Sequence, residues 1–155
     1  MMENHPTALA VALAGFADRG PDHLNCAQAV VSYAAALLGA SQDSVVLARY
    51  MGGGMAGMGQ VCGALSGAAL SVGLRDRLLG LSWADRSSPA AEQLQRLFRD
   101  FDAEFGATTC AELVGYRTDT TRAYERFKSE GKDRSCREYV AWTCDHLRDV
   151  LKTAR

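Results

Sequence analysis

Apolar residues recur at helical spacing through most of the chain, and they alternate nowhere for long enough to make a strand. Thr7 to Arg19 predicts a first helix, with Leu9, Leu13 and Phe16 on one side and Gly20-Pro21 as its stop. A second helix, capped by Asp22 or Asn25, carries Cys26, Val30, Tyr33 and Leu37 along one apolar stripe and ends at Gly39. Ser41 to Tyr50 is a shorter helical segment, and Arg75 to Ser88 reads as a polar connection containing Trp83. Ser88-Pro89 then gives a cap and a first-turn proline. The helix it opens has the strongest amphipathic pattern in the chain, through Leu94, Leu97, Phe98, Phe101 and Phe105. Thr109 to Glu112 and Ser135 to Glu138 each have the form of a capping box, with a cysteine directly after the cap. Tyr116 to Gly131 is more polar, with a loose helix around Tyr124 and Phe127 that serves as lid or surface. The last helix presents Val140, Thr143, Leu147 and Leu151 inward.

The other elements are arranged around Arg49 to Leu74, a stretch with no charge between Arg49 and Arg75. Gly52, Gly53, Gly54, Gly57 and Gly59 form an approach that a helix tolerates poorly, whereas from Gln60 small and apolar residues follow helical spacing. A helix is therefore expected to start near Gln60 and to be the most buried element. Gly59, Gly63 and Gly67 then fall four apart on one face, where a neighbouring backbone or a cofactor can come close. The stretch is long enough to cross a membrane, but Gln60, Ser66, Ser71 and the glycines make it too polar, and the glycine half would leave backbone groups unsatisfied in lipid. Gly52, Gly54 and Gly57 also fit G-x-G-x-x-G, yet the dinucleotide fingerprint needs a strand before it and an acidic residue after it in a βαβ unit. Val45 to Met51 is too short to begin such a unit.

The 155 residues, 48% of them hydrophobic with three prolines, suffice for one compact domain with its own core. The expectation is an all-α, single-domain helical bundle spanning residues 1–155, built around the glycine- and alanine-rich central helix. A formal charge of −1 with both signs mixed throughout argues against nucleic acid and against a polybasic membrane contact. Glu3, Asn4 and His5 stand where a secretory signal would be basic, so a reducing cytoplasmic setting is expected. Leftover apolar surface around Tyr139 and Trp142 suggests a homodimer.

In a reducing compartment, five cysteines point to free thiols, a metal site or redox chemistry before structural disulfides. Cys26, Cys62, Cys110 and Cys136 each fall in the predicted first turn of a different helix, and Cys144 lies inside the last one. Unpaired N–H groups and the positive end of the helix dipole stabilise a thiolate, so these four are expected to have lowered pKa values, with Cys62 the first candidate for the reactive thiol. If the helix starts converge, with Cys144 farther off, two sites follow. One is a dithiol–disulfide pair; the other is a thiolate-bound metal, iron–sulfur or haem site on the same four residues. No CxxC occurs, and His23 and His146 are more simply surface or core residues than ligands. The third reading is a purely structural or partner-binding helical bundle, in which glycine packing is the message and the cysteines fill space.

Asn25-Cys26-Ala27-Gln28-Ala29-Val30, the glycine run into Cys62-Gly63-Ala64-Leu65-Ser66-Gly67, and Cys110 and Cys136 downstream resemble the redox-active proteins named for their C-GCAxxG-C-C cysteine pattern. The resemblance runs from about Asn25 to the last helix. It implies a small helical protein whose redox role is carried by Cys26, Cys62, Cys110 and Cys136 and whose redox partner or small-molecule substrate is unspecified. Cys144 is additional to the pattern, and Cys136 is preferred as the fourth family cysteine because of its cap.

Overall fold

The computed structural model describes residues 4–82 and 89–152, so Trp83 and Ser88 of the predicted connection lie outside the described residues. The architecture is all-α. Among the described residues there are seven α-helices and one 3-10 helix, and the only ladder contact is a single antiparallel bridge between Val61 and Thr109. The helices are α1 (His5–Ala17), α2 (Cys26–Leu38), the 3-10 helix Gln42–Ala48, α3 (Gly63–Leu78), α4 (Ala90–Phe105), α5 (Cys110–Val114), α6 (Thr121–Ser129) and α7 (Asp133–Lys152).

The most buried helix is α2, not the glycine-rich helix expected from the sequence: nine of its 13 residues are buried, against eight of 16 in α3. The reason is packing on several sides at once, since α2 lies against α1, α3, α7 and the 3-10 helix, while one side of α3 keeps Ala69 and Gly73 exposed. Asn25 sets the start of α2 through a full capping box: Gln28 N donates to Asn25 Oδ1 (2.9 Å) and Asn25 N to Gln28 Oε1 (3.1 Å). Gly39 closes the helix in the left-handed conformation. His5 joins three helices, because its Nε2 lies 3.2 Å from Asp145 Oδ1 and its Nδ1 2.6 Å from the Tyr33 hydroxyl. A carboxylate only accepts, so Nε2 donates to it.

The central helix begins at Gly63, three residues later than expected. Gln60 to Cys62 are held extended against the segment before α5: Cys62 N donates to Thr108 O (2.8 Å) and Cys110 N to Gln60 O (2.7 Å). Gly59 therefore stands outside the helix, at φ 74°, with Ala111 and Arg117 against the place where a Cβ would sit. Of the expected glycine face only Gly63 and Gly67 remain, and both meet α2. At the other end, Arg75 is not in a connection but inside α3. It is buried, with Nη1 donating to Val150 O (2.6 Å) of α7 and an ion pair to Asp76.

The aromatic stripe of α4 packs on α7, where Phe101 and Phe105 form edge contacts with Tyr139 and Trp142 at centroid distances of 4.8–5.8 Å. Tyr139 and Trp142, expected at a subunit contact, are thus engaged inside the chain. Helix α7 opens at Asp133, so Ser135 and Glu138 form no capping box and Cys136 is its fourth residue. The chain enters from Gly131, whose left-handed turn lets Arg134 N donate back to Gly131 O (3.2 Å) and starts the helix early. Among the described residues no helix is long and apolar enough to cross a membrane.

Candidate functional site: a thiol-lined cavity

The glycine approach is a left-handed turn. Gly53, Gly54, Met55, Ala56 and Gly57 have consecutive φ values of 64, 70, 67, 51 and 77°. Left-handed backbone costs roughly 1–2 kcal/mol at each residue bearing a Cβ, so glycine at three of the five places confines that cost to Met55 and Ala56. Wide main-chain loops close it, with Ala56 N donating to Tyr50 O (2.7 Å) and Gln60 N to Gly54 O (2.9 Å). The geometry differs from a dinucleotide-binding loop in having no strand before it. Its far side rests on the segment before α6, where Thr118 N donates to Gly57 O (3.1 Å).

This turn, the starts of α2, α3, α5 and α7, and one face of α6 enclose a cavity of about 550 Å³. Cys26, Cys62, Cys110 and Cys136 all line it, and Cys144 does not. Cys26 is the first residue of α2, Cys62 caps α3 with its backbone, and Cys110 is the first residue of α5 behind the Thr109 cap. Cys144 is fully buried in the main core. All five are free thiols. Of the glycines expected to admit a cofactor, Gly63 borders the cavity, whereas Gly59 and Gly67 do not. Phe16, His23, Tyr50 and Thr118, none of them expected at a site from the sequence, complete the wall, with Tyr124, Phe127 and Lys128 contributed by α6, the segment expected to be lid or surface. Helix α6 buries none of its residues fully, so it covers the cavity without being part of the core.

The thiols are not shifted in the direction expected of helix starts. Burial is the first cause for every one of them and pushes Cys26, Cys62, Cys136 and Cys144 up, and Cys110 up to about 11. A helix end favours a thiolate by a few tenths to about 1 kcal/mol, and removal from water outweighs that. The thiols also oppose one another's ionisation: Cys26 raises Cys62, Cys110 and Cys136 in turn. Backbone N–H groups of Gly53, Ala27, Cys26 and Gly63 pull the Cys26 thiol the other way without overcoming burial.

A pH dependence with a definite sign follows. A thiol raised from 9.0 to about 11 on folding stabilises the folded chain fully below pH 9, and that contribution disappears as the pH climbs through 11. The urea midpoint of the reduced protein is expected to fall between pH 9 and 11, and less steeply in Cys110→Ser. A midpoint that rises over this interval would contradict burial of the neutral thiols.

A thiolate metal centre needs three or four donors around one point. Among the described residues no group of three or more His, Cys, Asp or Glu side chains has a placement that could hold a metal ion. The fold and site thus define a class: an all-α protein with four reduced cysteines from four separate segments around one cavity. Residues 24–150 match the family model described as "Putative redox-active protein (C_GCAxxG_C_C)", and the chain belongs to that family. No curated protein and no solved structure matches it.

Proposed function

We propose that the protein is a thiol redox protein, in which cysteines around the 550 Å³ cavity exchange between dithiol and disulfide with a small molecule or a redox partner. The supporting observation is the meeting of Cys26, Cys62, Cys110 and Cys136 at one cavity, although they are far apart in sequence and a fifth cysteine is left out. Four space-filling cysteines would have no reason to share an opening. The chemistry is disulfide exchange, in which one thiolate attacks a disulfide sulfur and a second resolves the mixed disulfide.

Thiol counting tests this reading. The reduced native protein, treated with an excess of a small disulfide and then freed of it, is expected to lose an even number of its five thiols and regain them with dithiothreitol. Cys144→Ser should leave that reversible loss intact, and replacement of the four lining cysteines by serine should abolish it. Five thiols remaining in the treated native protein would overturn the proposal.

A further inference from the structure

Three segments converge on the sulfur of Cys26. Asn25, the cap of α2, donates through Nδ2 to Arg49 O (2.8 Å) and Ala48 O (3.3 Å), which ties the start of α2 to the chain entering the glycine turn. Gly52 packs on the Asn25 side chain so closely that a Cβ there would lie 2.9 Å from Asn25 Cβ. On the opposite side, a Cβ on Gly63 would collide with Cys26 Sγ itself. The sulfur therefore lies over the bare backbone of the turn and of the first residue of α3. Around it are main-chain amides of Gly53, Gly63, Ala27 and Cys26, which offset part of the cost that burial sets on its thiolate. Cys62 immediately precedes Gly63 and is 5% exposed, against partial exposure at Cys26, Cys110 and Cys136.

Resting on the redox reading above, we infer that Cys26 is the attacking thiol, that Cys62 is the resolving thiol, and that the substrate is a low-molecular-weight disulfide. Fixed amides compensate charge at Cys26 as its proton leaves, and no side chain stands between them and the sulfur. Cys62 is too enclosed to meet a substrate first, yet it follows the chain directly to the residue touching Cys26. A cavity of about 550 Å³ with recessed thiols and walls from Tyr50, Tyr124, Phe127 and Tyr139 admits a small molecule, and offers no exposed sulfur to a disulfide on a folded protein surface. In the first step the Cys26 thiolate attacks one sulfur of R–S–S–R, forming Cys26–S–S–R and releasing R–S⁻. The Cys62 thiolate then attacks the Cys26 sulfur, forming Cys26–S–S–Cys62 and releasing the second R–S⁻. The two protons given up by the cysteines leave as two R–SH, the substrate gains two electrons, and a reduced dithiol returns the protein to its starting state.

The order of attack is read by substoichiometric labelling. Reduced native protein treated with less than one equivalent of iodoacetamide and mapped by mass spectrometry is expected to carry at least about fivefold more label on Cys26 than on any other cysteine. With 5,5′-dithiobis(2-nitrobenzoate), Cys62→Ser is expected to accumulate the mixed disulfide on Cys26, and Cys26→Ser to lose the fast release of thionitrobenzoate. Label found first on Cys110, Cys136 or Cys62, or an unchanged fast release from Cys26→Ser, overturns the assignment. Because reversible thiol loss in the preceding test depends on any pair, its success together with labelling elsewhere would discard the role of Cys26 and keep the redox reading.

Discussion

Phe101→Ala is expected to destabilise the protein by about 3–5 kcal/mol, the range for emptying a buried aromatic site. Phe101 is fully buried and contacts Phe105, Tyr139 and Trp142, so its removal empties the space that these three rings pack against. Two of those rings sit on α7, which also carries Cys136 into the cavity, and the loss should loosen that wall as well as the core. For a chain of this size the change corresponds to a fall of roughly 6–20 °C in melting temperature. A drop under about 1 kcal/mol in urea unfolding would mean that α4 contributes little to holding α7.

The second large effect sets two glycines of one helix against each other. At Gly67 a Cβ would lie 2.7 Å from Ala27 O and 2.9 Å from Val30 Cβ, whereas at Gly73 it would meet nothing within 4 Å. Gly73→Ala is expected to stabilise α3 by about 0.5–1 kcal/mol through helix propensity alone. Gly67→Ala gains the same propensity but must push a backbone carbonyl of α2 aside, and Gly67→Leu adds branched bulk to the collision. Overpacking of this kind costs about 1–3 kcal/mol or more, so the two alanine variants should move the urea midpoint in opposite directions. Equal shifts for both would show that α2 and α3 do not approach as closely as the structure has them.

Local chemistry makes several elements legible in the amino-acid sequence. Asn25 as a cap, Gly39 as a stop and the Leu94–Phe105 stripe depend on neighbours within a turn or two, and all three hold in the fold. The start of the central helix is not legible in this way, because Gln60 and Val61 fit a helix by composition and are drawn into an extended pairing by Thr108 to Cys110, some fifty residues away. Ser135 to Glu138 shows the opposite failure: the pattern is present, but α7 has already begun at Asp133. Arg75 resembles the end of a helix because a charge seldom sits in a core, and the Val150 carbonyl that helps hold it there lies 75 residues away, beyond the reach of any local pattern. At the site, the placing of four cysteines at or near helix starts is visible in the sequence, while the direction of their pKa shifts depends on how much water the assembled cavity excludes.

The pairing of Gln60 to Cys62 with Thr108 to Ala111 separates two properties that active cavities usually couple. Main-chain hydrogen bonds alone, Cys62 N to Thr108 O, Cys110 N to Gln60 O and Ala111 N to Gly59 O, fix the spacing between the Cys62 and Cys110 positions. Side chains on a different element, Tyr124, Phe127 and Lys128 of α6, line the same cavity. Substitutions on α6 are therefore expected to change the shape of the cavity while the sulfur-bearing backbone behind it keeps its gauge.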